Sequence, residues 1–154
     1  KLVASSTKPE GGYDDVLSAN VFFVRAINLG GAIGISSGLP GAAGLHGTPA
    51  SGVVFTSQFM GRDFTQRNGQ QVDGNEFTGI VMAHEIGHYL GLFHTSEQFG
   101  RGFDPLDDTP ECNNDFPEGC PDLQNLMFPL AGISHTDISS QQQYMIEVNP
   151  LTKD

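Results

Sequence analysis

Apolar residues along this chain gather in stretches of different period. Asn20 to Leu29 (NVFFVRAINL) is a nearly continuous apolar run, which predicts a buried strand. From Gly30 to Gly52 glycine recurs every few residues, so a regular helix is disfavoured there, and Ala32 to Ser36 (AIGIS) is left as a short extended piece for a sheet edge. Gly52 to Gln58 (GVVFTSQ) predicts a second strand, and Arg62 to Gly74 reads as a polar loop. Asp73 and Glu76 have capping-box spacing and mark a helix start. That helix carries Phe77, Ile80, Val81, Met82, Ile86 and Leu90, apolar almost all round, which predicts an interior position. Gly91 is its natural stop. Thr95 to Leu126, with Pro105, Pro110, Pro117 and Pro121, reads as loop. Ser139 and Gln142 repeat the capping-box spacing ahead of an apolar stripe of Tyr144, Met145 and Val148, which predicts a last helix. Lys1 to Gly12 reads as an irregular leader, and the whole of 1–154 as a single domain.

Composition narrows the class. Hydrophobic residues make up 38% and charged residues 16%, too apolar for a disordered chain, and 20 glycines argue for long irregular connections. Seven basic against 18 acidic residues give a net charge of -11, which sets nucleic acid and anionic lipid aside as partners. No run approaches the ~20 apolar residues of a membrane span. Cys112 and Cys120 sit in one polar loop, where a local pair fits a disulfide and hence a secreted, extracellular protein. Two free thiols in a cytosolic protein are the other reading. The chain opens on Lys1 rather than Met, which leads us to expect part of a longer precursor.

The chemistry lies in His84-Glu85-Ile86-Gly87-His88-Tyr89-Leu90-Gly91-Leu92-Phe93-His94. His84 and His88 are one turn apart on one helix face and can share a Zn2+ ion. Gly91 breaks the helix and lets His94 return to the same ion. Three neutral imidazoles leave the fourth tetrahedral position for water, whose pKa the metal lowers. Glu85 is rotated off the histidine face and is placed to act on that water as general base. Three unrelated histidines on a core helix are the bland reading, but unpaired polar groups inside a helix core cost stability.

These residues resemble the long zinc motif of the metzincin metallopeptidases, H-E-x-x-H-x-x-G-x-x-H. Asn125-Leu126-Met127-Phe128-Pro129 is similar to their methionine turn and implies that Met127 lies beneath the metal; an ordinary core methionine is the alternative. His94-Thr95 with Asp107-Asp108-Thr109-Pro110 resembles the pappalysin-like (cytophagalysin) peptidases, whereas Leu126 to Pro129 looks like the matrixin turn. Pro129 stands where pappalysin-like and astacin-like enzymes often carry a tyrosine, so no tyrosine switch is assigned. The resemblance implies an α+β fold: a small twisted mixed sheet over the active-site helix, then an irregular C-terminal subdomain with a final helix. It implies an extended substrate on an edge strand, for which Gly30 to Gly41 is the candidate, and a pocket lined by Phe128, Leu130 and Ala131.

Asp104, Asp107, Asp108, Glu111, Asp115, Glu118 and Asp122 crowd one loop. Ca2+ would relieve their repulsion, as the pappalysin-like resemblance also implies; a solvated acidic loop held by a disulfide is the equal alternative. His46 and His135 read as surface residues. The function expected is a zinc metalloendopeptidase acting on protein or peptide substrates. Its rivals are a catalytically silent zinc-containing binding module and a zinc hydrolase of non-peptide amides or esters.

Overall fold

A computed structural model describes residues 18–42, 47–66, 69–97, 102–112 and 119–152. The expected leader at 1–12 and His46 lie outside the described residues. The elements run β1 (Asn20–Val24), β2 (Gly34–Ser36), β3 (Gly52–Thr56), β4 (Phe64–Thr65), β5 (Gln71–Val72), α1 (Gly74–Tyr89) and α2 (Ser140–Glu147). The main sheet has the order β1-β3-β2, with β1 parallel and β2 antiparallel to β3. This is the expected α+β class with a small mixed sheet.

β3 takes the middle, and four of its five residues are buried. Val53 and Phe55 are 0% and 1% exposed, and α1 packs across β2 and β3. Phe77, Val81 and Tyr89 of α1 close the core with Val72. Phe55→Ala is therefore expected to cost about 3–5 kcal/mol, measured by denaturant unfolding, and a loss below about 1 kcal/mol would contradict this account of the core.

Three elements depart from the sequence reading. β1 ends at Val24, and it is not buried: Val21 and Phe23 remain 41% and 48% exposed. Among the described residues it is an edge strand paired with β3 alone, and α1 covers the other half of the sheet. The polar stretch from Arg62 holds the β4–β5 hairpin, anchored by Val72 in the core and by Phe64, whose ring lies 5.0 Å from Phe59 and 5.3 Å from Phe77. In α2 the stripe of Tyr144, Met145 and Val148 is exposed, and the residue buried is Gln142. Its amide exchanges two hydrogen bonds with Asn125, at 2.9 and 3.1 Å. Asp108 accepts from Ser139 Oγ and Gln141 N, at 2.7 and 2.9 Å. Polar pairing rather than an apolar face docks this helix.

The caps match expectation. Asp73 accepts from the Asn75 and Glu76 amides to start α1, and Ser139 and Gln142 form a capping box. Gly91, at φ +105°, ends α1 in a conformation suited to glycine. Cys112 and Cys120 are joined by a disulfide, with Cα atoms 5.2 Å apart. No helix of the described residues is long and apolar enough to cross a membrane.

Candidate metal centre

α1 presents His84 and His88 one turn apart, and the turn at Gly91 carries the chain back. The Leu92 amide bonds the Gly87 carbonyl at 2.9 Å, and His94 follows. The three Nε2 atoms converge: that of His94 lies 3.2 Å from His84 Nε2 and 3.1 Å from His88 Nε2.

The outer nitrogens determine what the inner ones carry. His84 Nδ1 lies 2.6 Å from the Leu126 carbonyl and His88 Nδ1 lies 2.7 Å from the Leu92 carbonyl. Carbonyls only accept, so both Nδ1 atoms hold the proton and both Nε2 atoms present a lone pair. His94 Nδ1 faces both oxygens of Glu97 at 3.3 Å, which imposes the same tautomer. Burial, opposed by the Leu126 bond and reinforced by neighbouring histidines, lowers His84 to about 4, and burial also lowers His88, so both imidazoles stay neutral. Three lone pairs aimed at one point repel unless a cation lies between them. Tetrahedral zinc with Zn–N bonds of 2.0–2.1 Å spaces its ligands by roughly 3.3 Å, close to the separations here. The donor set fits zinc, and His84, His88 and His94 are the residues that would hold it. A second grouping, Cys112 and Cys120 with Asp122, does not fit, because both sulfurs are spent in the disulfide.

Glu85 is outside the converging donors and packs against Gly34 of β2. Burial pushes its carboxyl up to about 7, against the opposing pull of the Ser36 backbone amide. Met127 is fully buried, with its Sδ under Gly87, where an added Cβ would come within 2.6 Å of it. The Asn125 side chain accepts the Met127 amide at 2.8 Å, and the Met127 carbonyl accepts the Thr95 amide at 3.2 Å. The methionine is thus tied to the segment just after His94.

A cleft of about 450 Å³ opens beside the histidines, walled by β2, by Leu39 and by Phe93, with Glu85 and Glu97 at its floor and flank. Phe128, Leu130 and Ala131 are not among its walls. Phe128 is 3% exposed and packs on the His135 ring at 5.6 Å. His135 is not a surface residue: it is 7% exposed, its Nδ1 lies 2.6 Å from the Leu130 carbonyl, and Gly132 leaves the space its ring fills. The carbonyls of Leu92 and Leu126 have no signature in a sequence, since every residue has one. Glu97 does: it lies three positions after a ligand, on the expected approach path.

A small mixed sheet over a helix that carries two of three convergent imidazoles, the third returned by the turn at Gly91, defines a zinc metallopeptidase of the metzincin type. Residues 48–153 match the family described as metallo-peptidase family M12B, reprolysin-like, and the chain belongs to that family. No curated protein and no solved structure matches it significantly.

Proposed function

We propose that this zinc metallopeptidase is an endopeptidase in which Glu85 is the general base. The observation that carries the reading is a half-buried carboxylate that lines the same cleft as His88 and His94 but is not one of the converging donors. Zinc in that site supplies Lewis-acid polarisation of the scissile carbonyl and activation of the attacking water. Glu85 takes the proton of that water and returns it to the leaving amine. The β2 edge away from β3, within the Gly30 to Gly41 stretch, pairs with an extended substrate, and Leu39 and Phe93, 41% and 46% exposed, receive apolar side chains. Met127 serves as the floor of the site, in the manner of a methionine turn; the pappalysin-like affinity rests on His94-Thr95 and Asp107 to Pro110. One catalytic domain, exported with its disulfide formed, completes the reading.

The test is zinc content together with cleavage of casein and of a quenched-peptide mixture. One zinc per chain, cleavage abolished by a chelator and restored by zinc, is the expected result. Zinc binding without cleavage of any peptide would move the site to the class of binding modules.

A second cation is supported by two orphaned oxygens. Asp104 Oδ2 and Asp122 Oδ1 are buried without a hydrogen-bond partner, while Thr109 and Thr95 donate to the other oxygen of each. We infer that calcium sits against them. Burial first, then the charges of Asp108 and Asp122, raises the Asp104 carboxyl above its ordinary value, against the bonds from Thr109 and Leu106. The folded chain therefore binds this proton more tightly than the unfolded chain. Without calcium, stability should fall as pH rises from the unfolded through the folded pKa of Asp104. At a hundredfold excess over its dissociation constant, calcium is expected to add about 2.7 kcal/mol. Thermal melts with calcium and with magnesium check this, and an unchanged melt in wild type, or an equal shift in Asp122→Asn, would refute it.

A further inference from the structure

Gly34 is the residue of β2 that faces Glu85. A Cβ built on it would lie 2.5 Å from Glu85 Cγ, 2.8 Å from Oε1 and 3.0 Å from Cδ. Carbon atoms in contact sit about 3.5–4.0 Å apart, so alanine and the present Glu85 conformation exclude each other. The clash involves Cγ, near the root of the side chain, and swinging the carboxyl tip alone does not relieve it. Nor does the backbone demand glycine: Gly34 lies in regular antiparallel register opposite Phe55, and its φ is outside the left-handed region. Glycine weakens a strand, so its presence here is explained by what occupies the space of the missing side chain.

The seat lies on the outer edge of β2. The Ile33 carbonyl accepts from Thr56, and the Ser37 amide donates to Gly52, so the main-chain groups of residues in that alternation point at β3. Gly34 and Ser36 fall in the opposite alternation, and the Ser36 backbone amide is near enough to the Glu85 carboxyl to pull its pKa down. The bare Cα of Gly34 and the Ser36 N–H bracket the Glu85 side chain from the strand side.

We infer that Gly34 is a positioning residue for the reaction: its missing side chain is the seat that holds Glu85 at the cleft floor. This rests on the reading of Glu85 as base. The three heavy atoms nearest a Cβ on Gly34 all belong to Glu85, so the seat acts first on the base rather than on a metal ligand.

The experiment compares wild type, Gly34→Ala, Glu85→Asp, the double variant Gly34→Ala/Glu85→Asp, Glu85→Ala and Gly34→Ala/Glu85→Ala. Gly34→Ala should lower kcat about ten- to a hundredfold, with KM and zinc affinity within about twofold of wild type. Alanine at 85 has no Cγ to meet the methyl, so Gly34→Ala should lower the melting temperature of Glu85→Ala much less than that of wild type, while Glu85→Asp, which keeps a Cγ in the same place, should not be relieved. The Glu85 13Cδ resonance of labelled protein, without substrate, should move in Gly34→Ala. An unchanged kcat and an unmoved resonance would overturn the inference. Should wild type cleave nothing, the peptidase reading fails, while the resonance still decides whether Gly34 seats the carboxyl. Should Gly34→Ala fail to fold, Gly34→Ala/Glu85→Ala must melt like Glu85→Ala, because the clash is then gone; a double variant that stays unfolded overturns the inference too.

Discussion

Glu85→Gln is expected to lower kcat/KM on a quenched peptide by about 10²–10⁴-fold while each chain keeps its zinc. The amide preserves the length and volume of the side chain, so the packing against Gly34 survives. What disappears is the capacity to take a proton from water and return it to the amine. Glu85 is outside the triad, so metal content measured on the same sample should stay at one per chain. A variant that retains a tenth or more of wild-type turnover would remove Glu85 from its role and leave zinc as the whole of the catalyst. Loss of zinc along with activity would count against the assignment as well, since it would make Glu85 part of the metal site.

His84→Ala should act through the metal. It deletes one of three converging nitrogens and also strands the Leu126 carbonyl, its partner at 2.6 Å. Losing an outer partner of a zinc ligand costs about 10- to 100-fold in affinity, and losing the ligand should exceed that range. Competition with a chromophoric chelator measures it, and turnover should fall in parallel. Glu97→Gln is the graded companion. Its carboxylate is exposed and reaches His94 Nδ1 only at 3.3 Å, so a loss of about tenfold is expected. If His84→Ala bound zinc as tightly as wild type, the three-histidine centre would be wrong.

Much of this site was legible because its chemistry is local. The spacing of His84, Glu85 and His88 puts the two histidines on one helix face and the glutamate off it by geometry alone, and Gly91 announces the turn that returns His94. The caps at Asp73 and Ser139 and the edge piece ending at Ser36 were legible for the same reason. The misread parts depend on partners far along the chain. A strand such as β1 carries no mark of whether a helix covers it, and Val21 and Phe23 are exposed because α1 lies over β2 and β3. The β4 and β5 strands are too short to show a period, and only the packing of Phe64 and Val72 reveals them. Gln142 outranks the stripe of α2 because Asn125 happens to face it. His135 is interior because Gly132 and Phe128 make room for it and cover it.

The outer partners of the three ligands differ in how they can change over generations. Leu92 and Leu126 hold His88 and His84 by carbonyls that belong to the backbone, so a point substitution at either position leaves the acceptor itself intact. Glu97 holds His94 by a side chain, and a single codon change can strengthen, weaken or delete that grip. Inherited variation in metal avidity therefore has a narrow gate: two legs of the tripod are shielded from drift at their partners, and the third can be tuned without touching a ligand.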